Sequence, residues 1–377
     1  MKFIHTADWQ LGMTRHFLSA EAQARFSQAR LDAVRSIGQL AVEEGCGFVV
    51  VCGDVFESNQ IDRQVLTRAF DAVAATPSVT FCLLPGNHDP RDAASIYISN
   101  SFRERKPNNV VVLDGNEPFN VADGVELLAA PWTSKRPLVD LVDRASELAG
   151  PSDALRVVVG HGALDSRSPD SADPSLISLS RLESRIREGE IHYVALGDRH
   201  STTDEGSSGR IWYSGAPEPT DYVEVDPGNV LLVELDSDRC TVEPRRVGTW
   251  AFERVERQLS SEADIEMLEG LLDAVTDKER TVLKLALIGQ VTLAQHDRLD
   301  RLLEHCTDRF AAVEAWERRS DLHVLPDDAE AETFGLSGFA AEALGELRDL
   351  GQSSDDAEAA EARDAMALLY RLTRSAS

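Results

Sequence analysis

No apolar run in this 377-residue chain approaches the ~20 residues that a membrane-crossing helix needs. A signal-peptide core is missing too, because Met1-Lys2-Phe3-Ile4-His5 enters a strand pattern at once, and a cytoplasmic location is expected. Cysteine is scarce: five, scattered, with no Cys-x-x-Cys pair, which excludes a thiolate zinc site of the usual spacing. Cys52 and Cys82 lie within apolar runs and are expected to be buried and reduced. Basic residues are also short, 38 Lys and Arg against 65 Asp and Glu, for a formal net charge of -27. That balance repels nucleic acid at long range. It leaves a local groove open, since bound metal ions invert the local sign.

What is present is a regular alternation. The chain is too long for one ordinary core, so two domains, or one with appendages, are expected. Lys2 to Ala7 reads as a short strand ending in Asp8-Trp9-Gln10. From Ser19 to Glu44, Phe26, Ala29, Ala33, Ile37 and Leu40 recur at helical spacing, and Gly45 closes the segment. Phe48 to Cys52 is a continuous apolar strand followed by Gly53-Asp54. A helix over roughly Asp62 to Ala75 leads to the strand Val79 to Leu84 and the turn Pro85-Gly86-Asn87-His88-Asp89. Strand patterns follow at Val110 to Leu113, Glu126 to Ala130, Arg156 to Val159, Tyr193 to Leu196, Ile211 to Tyr213 and Val230 to Leu235.

The chemistry-bearing residues sit at the carboxyl ends of these strands. Asp8, Asp54, Asn87, His161, Asp198 and His200 each follow an apolar strand closely, and in α/β sheets that edge is where ligands gather. Singly each has a plainer reading: Asp54 as a helix cap, His161 in Gly160-His161-Gly162 as a loop residue. Together they make one crevice from five turns. The set offers oxygen and nitrogen donors and no thiolate, which suits Mn²⁺, Mg²⁺ or Fe. In the Asn87-His88-Asp89 turn, His88 offers an imidazole for proton transfer and Asp89 is a candidate to hold that ring in one tautomer.

Asp8-x-Gln10, Gly53-Asp54, Gly86-Asn87-His88-Asp89, Gly160-His161 and Gly197-Asp198-Arg199-His200 resemble, in order and spacing, the five motifs of the calcineurin-like metallophosphoesterases. His5-Thr6-Ala7-Asp8-Trp9 with Leu11-Gly12, and Tyr213-Ser214-Gly215-Ala216-Pro217-Glu218, are similar to the SbcD-type DNA-repair exonuclease branch. The resemblance implies an α/β fold, a metallophosphoesterase β-sandwich flanked by helices, and a two-metal phosphodiesterase. Asp54 would bridge two divalent cations, Mn²⁺ first among the candidates. Asp8 and His200 would hold the first ion, and Asn87, His161 and Asp198 the second. His88 would protonate the leaving oxygen or steady the scissile phosphate, positioned by Asp89. Two positions depart from the family pattern: Gln10 and Asp198 each stand where it has a metal-binding histidine. A neutral amide oxygen is a poorer donor than imidazole, whereas Asp198 remains a competent hard ligand.

Three regions are expected: residues 1–235 as the phosphoesterase domain, 236–330 as a small α/β capping domain, and 331–377 as an acidic helical tail. Beyond Glu234 the order is strand, helix, strand, helix, strand, with Ile265, Leu268, Leu272 and Val275 on one helix face and Leu299, Leu302, Leu303, Cys306 and Phe310 on another. In the SbcD-like branch a domain at this place caps the nuclease site; a structural appendage fits its residues equally. From Pro326 to Asp364 twelve acidic residues face only Arg348 and Arg363. Two amphipathic stretches lie in and beyond this segment, one on Phe339, Ala343, Leu344, Leu347 and Leu350, the other on Ala362, Ala365, Met366, Leu369 and Leu372, joined by a linker from Gly351 to Asp356. They either dock on the chain's own body or, as the resemblance implies, meet an SbcC-type coiled-coil ATPase. DNA is the implied substrate, a homodimer is among the assemblies left open, and no membrane association is expected. Two other functions stay open: a small-molecule nucleotide phosphoesterase and a non-catalytic DNA-end scaffold.

Overall fold

The computed structural model describes residues 1–325 apart from positions 116, 149 and 171, then residues 339–351 and 359, 361, 362 and 365. The chain divides into two units, one of Met1–His16 with Gln23–Trp250, the other of Phe17–Ala22 with Ala251–Ser377.

The first unit begins with β1 (Lys2–Thr6), α1 (Ala20–Glu43, its first turn assigned to the second unit), β2 (Phe48–Val51), α2 (Arg63–Ala74), β3 (Thr80–Leu83), α3 (Asn100–Arg105) and β4 (Val110–Val112). It continues with β5 (Phe119–Ala122), β6 (Val125–Ala129), α4 (Leu141–Leu148), β7 (Leu155–His161), α5 (Leu179–Arg187) and β8 (Tyr193–Gly197). Four strands complete it: β9 (Thr203–Glu205), β10 (Ile211–Tyr213), β11 (Asn229–Leu235) and β12 (Cys240–Arg246). They form two six-stranded sheets, ordered β12-β11-β1-β2-β3-β4 and β5-β6-β7-β8-β10-β9.

The apolar strands explain the layering. Successive side chains of a strand point to opposite faces, so a run with no polar residue must be buried on both. Val49 and Val51 pack with Val34, Ile37, Leu66 and Phe70 of α1 and α2, while Phe48 and Val50 face the second sheet beside Leu127, Val157 and Ala195. Phe3 stacks on Phe48 at 5.1 Å between ring centres, and Tyr193 meets Phe3 edge-on from the other sheet. The outer face of the second sheet is covered by α4 and α5 through Val142, Ala145 and Leu182. The result is the expected sandwich flanked by helices. Cys52 and Cys82 are buried free thiols within it.

All of β1, β2 and β3 run parallel, as do β6, β7 and β8, so their carboxyl ends share one edge in each sheet. The loops after β1 and β2 stay paired beyond the strands, with Asp8 N donating to Gly53 O at 3.1 Å and Gln10 N to Asp54 O at 2.8 Å.

The second unit holds β13 (Ala251–Leu259), α6 (Glu262–Ala274), β14 (Thr281–Thr292), α7 (Leu293–Arg309), β15 (Ala312–Ala315) and β16 (Asp321–Leu325). Both β13 and β15 pair parallel with β14, and β16 does so further along it. Ile265, Leu268, Leu272, Leu299, Cys306 and Phe310 fill its core, the helix faces that the sequence marks out. A further helix covers Phe339–Leu350, with Phe339 exposed. Of the second amphipathic stretch only Ala362 and Ala365 fall among the described residues, and the linker beyond Gly351 lies outside them.

Candidate metal centre

Five loops bring the expected residues together. Asp8 follows β1, Asp54 follows β2, Asn87 follows β3, His161 ends β7, and Asp198 and His200 follow β8. One ligand atom each of Asp8, Asp54 and His161, all buried, lies within 4.8 Å of the others. His161 Nε2 is 3.5 Å from Asp54 Oδ1, 3.7 Å from Asp198 Oδ1 and 2.6 Å from Asn87 Oδ1. On the other side His200 Nε2 stands 3.9 Å from Asp8 Oδ1.

Backbone conformation at this edge is unusual. Asp8, Gln10, Asp54 and Asp198 all have positive φ, at 53°, 42°, 52° and 92°. Such conformations cost energy in a residue with a side chain, and they cluster where a functional geometry is imposed. Close packing adds to the constraint: a Cβ at Gly53 would collide with the His161 ring, and one at Gly197 with the Cys52 carbonyl and the same ring.

Each imidazole is oriented through its far nitrogen. His161 Nδ1 lies 2.8 Å from Cys52 O, which fixes it as the donor and leaves Nε2 free to ligate. His200 Nδ1 is 2.9 Å from Glu224 Oε1 and 2.7 Å from Thr220 Oγ1, leaving its Nε2 toward Asp8. Trp132 Nε1 donates to His161 O at 2.7 Å and meets the ring edge-on.

The electrostatics are those of a site short of positive charge. Burial pushes the Asp8 carboxyl up to about 7, even with His200 and His161 pulling it down. Burial alone would depress His161, but the carboxylates of Asp54, Asp8 and Asp198 raise it to about 9. His200 is raised as well: burial opposes protonation, and the Glu224 hydrogen bond and the Asp8 charge overcome it.

The donor atoms fit divalent cations. Gln10 is 3% exposed, and its Oε1 is buried with no hydrogen-bond partner among the described residues. The Asn87 amide oxygen faces only acceptors; turned over, its nitrogen would donate to Asp54 Oδ1 at 3.1 Å and Oδ2 at 3.2 Å. An orphaned amide oxygen and a carbonyl aimed at a carboxylate and an imidazole are what a hard cation reconciles.

His88 borders this set and is its most exposed imidazole. Its backbone N donates to Asp54 Oδ1 at 2.9 Å, and its side chain is 38% exposed with Nε2 3.9 Å from Asp54 Oδ2. The expected positioning by Asp89 is not what the structure shows. Asp89 is fully buried and accepts from Gly86 N at 2.8 Å, Phe56 N at 3.0 Å and Tyr97 Oη at 2.6 Å, so its oxygens hold the turn. The His88 ring is steadied instead by the Glu57 carbonyl, 3.0 Å from Nδ1. Burial, with Asp54 adding repulsion, raises the Asp89 carboxyl to about 6.

Glu224, Thr220 and Glu57 are the residues that sequence reasoning missed. Each lies in a loop without periodicity, and each acts through a partner distant in the chain, so no spacing signal marks them.

A metal-binding crevice of oxygen and nitrogen donors at the carboxyl edges of a helix-flanked double sheet defines a phosphoesterase class. The sequence model of the calcineurin-like phosphoesterases matches residues 1–232, and the chain belongs to that family: it is a metallophosphoesterase, whose reaction is metal-dependent phosphoester hydrolysis. The SbcD subunit of the nuclease SbcCD of Rhodobacter capsulatus is 27% identical to it over 275 residues. That alignment covers 62% of this chain and 66% of the relative, so just under two thirds of the relative's length is spanned. A solved structure from Thermus thermophilus superposes with a TM-score of 0.42 at 11% identity, covering 65% of this chain and 98% of that one. A dimetal phosphatase from Danio rerio gives 0.40 at 16% identity, covering 65% and 96%. Among the described residues no helix is long and apolar enough to cross a membrane.

Proposed function

We propose that this chain is a two-metal phosphodiesterase acting on DNA, as the exonuclease or endonuclease subunit of an assembly with an SbcC-type coiled-coil ATPase in the cytoplasm. The observation that carries the hydrolytic part is the convergence of Asp8, Asp54, Asn87, His161, Asp198 and His200 from five loops, with His88 beside them and off the cluster. The relative named as a nuclease subunit supports DNA as the substrate.

Asp8, Gln10, Asp54 and His200 would hold the first cation, and Asp54, Asn87, His161 and Asp198 the second, with Mn²⁺ favoured over Mg²⁺ or Fe. When bound, the pair supplies Lewis acidity, activating a water and neutralising phosphate charge. The protein's own part is to aim both imidazole Nε2 atoms inward, which Cys52 O and Glu224 do by holding the opposite ring nitrogens. His88, held through Nδ1 by the Glu57 carbonyl, presents an accessible Nε2 as the proton donor to the leaving oxygen. The tail from residue 331 onward is the partner-binding segment.

The test is the purified chain with Mn²⁺ on end-labelled DNA, a cyclic nucleotide and a generic phosphodiester, with Asp54→Ala as the blank. Turnover of DNA that Asp54→Ala lacks is expected. Turnover of the cyclic nucleotide alone would make it a small-molecule enzyme, and no turnover at all a scaffold.

A further inference from the structure

Two arginines share an open groove with the metal centre. Arg167 and Arg199 line a cavity of about 360 Å³ together with Asp198, His200, Tyr213 and Val223. Each is tethered through Nε. Arg167 Nε donates to Glu205 Oε1 at 2.9 Å and Arg199 Nε to Thr203 Oγ1 at 3.0 Å. Thr203 and Glu205 are alternate residues of β9, so they stand on the same face of the edge strand of the second sheet. Glu205 is buried, which makes its end of the tether rigid. Among the described residues the terminal Nη1 and Nη2 of both guanidiniums have no partner.

A guanidinium held by Nε and left with its forked end free is set up to grip a planar pair of oxygens, and phosphate is the anion it matches best. The acidic residues of the groove do not cancel this. Asp198 belongs to the metal set, and Glu224 is tied to His200 and Thr220, which leaves Asp221, its Oδ1 accepting from Val223 N at 3.3 Å, as the remaining acid in the lining. Tyr213 is committed as well, its hydroxyl donating to Gly162 O at 2.8 Å and accepting from Leu164 N at 3.1 Å.

We infer that Arg167 and Arg199 bind the phosphate neighbouring the scissile one, so the groove selects a nucleotide chain over an isolated phosphodiester. This deepens the phosphodiesterase reading and rests on it. The scissile phosphate lies at the metal ligands, and because Arg199 stands between Asp198 and His200 in the chain, the next phosphate along falls to its guanidinium and that of Arg167.

Three substrates separate the claims: bis(p-nitrophenyl) phosphate, a thymidine dinucleotide with one phosphate, and a thymidine trinucleotide with two, each with Mn²⁺ and the full chain. Wild type is expected to favour the trinucleotide over the dinucleotide in kcat/KM by ~10-fold or more, the size of one lost charge-assisted contact. Arg167→Ala and Arg199→Ala should each erode that ratio, and the double variant should bring it near unity. Arg167→Lys and Arg199→Lys, which keep charge but lose the fork, should fall between. Arg144→Ala, an exposed arginine of α4, removes the same charge and should leave the ratio as in wild type. Thermal melting checks that each variant folds. A wild type that cleaves the generic diester without preferring the trinucleotide overturns this inference alone, as does a ratio unmoved by the double variant or moved equally by Arg144→Ala. A wild type that cleaves none of the three overturns the phosphodiesterase reading and this inference with it.

Discussion

Glu224 Oε1 lies 2.9 Å from His200 Nδ1, and this contact turns the opposite nitrogen of the ring toward Asp8. Thr220 secures the carboxylate in turn, its backbone N donating to Glu224 Oε2 at 3.0 Å and its hydroxyl to Oε1. A carboxylate in this position fixes the orientation of the imidazole, and for a metal-ligating histidine that typically matters ~10–100-fold in metal affinity. Glu224→Ala should therefore weaken binding of the first cation by that factor and leave the second unchanged. Glu224→Gln, which keeps an acceptor, should lose less. Calorimetric titration of Mn²⁺ into metal-free protein reads both. Equal affinities in wild type and Glu224→Ala would show that the contact does not position His200.

Asp54 faces both halves of the centre. Its Oδ1 is 3.5 Å from His161 Nε2 and accepts from the His88 backbone, and it lies within the Asp8 and His161 cluster. Asp54→Ala is expected to abolish hydrolysis and metal binding together. Two ions still retained by that variant, counted by elemental analysis after dialysis, would end its role as the bridge.

His88 and Asp89, adjacent in sequence, should fail in different ways. As a proton donor and not a ligand, the accessible His88 imidazole can be removed without loss of an ion, so in His88→Ala turnover should fall ~10²-fold or more while metal content stays near wild type. Loss of metal in proportion to activity would make His88 a ligand instead.

Asp89 holds the turn, and Tyr97 donates to it in a fully buried setting. Tyr97→Phe leaves that carboxylate short of a donor at a cost of about 1–3 kcal/mol of stability, read as a lower urea midpoint at unchanged metal stoichiometry. A variant as stable as wild type would show that the hydroxyl contributes nothing to the turn.

The parts of this design that are legible in the sequence are those written in periodicity and strand ends. Phe48 to Val51 is apolar throughout because both faces are buried, and Asp54 beyond it can be placed without coordinates. The helix faces of α6 and α7 are equally plain. Three things are not. β9 has three residues and β12 turns polar after Val242, at Glu243, Arg245 and Arg246, so neither holds a strand's alternation, while β16 does alternate, Leu322 and Val324 against Asp321 and His323, but over only five residues. Sequence reading also misses the amphipathic α5, although Leu179, Leu182 and Ile186 pack on the second sheet at helical spacing. The orienting partners of His88 and His200 are hidden for a different reason. A carbonyl at Glu57 or a carboxylate at Glu224 is chosen by tertiary approach, and adjacency in sequence points wrongly to Asp89.

The last prediction concerns the two departures from the family pattern. Gln10 is buried beside Asp8 in the chain, with a positive φ and an oxygen that no protein group satisfies among the described residues. As a ligand it gives the first ion a neutral amide where an imidazole is usual. Asp198, its Oδ1 3.7 Å from His161 Nε2, would as a ligand give the second ion an additional negative charge. The ions should therefore differ in affinity, the second filling first and the first only at higher Mn²⁺ concentration. Oxygen-rich ligation tilts the pair toward Mn²⁺ or Mg²⁺, although zinc keeps its higher raw affinity. Gln10→His restores a stronger donor and should tighten the first site, drawing the two steps of the titration together and lowering the Mn²⁺ concentration needed for half-maximal hydrolysis. Gln10→Ala removes that oxygen and should weaken the first site relative to wild type. Two equal sites in wild type, or a first site indifferent to both substitutions, would place Gln10 outside the coordination sphere.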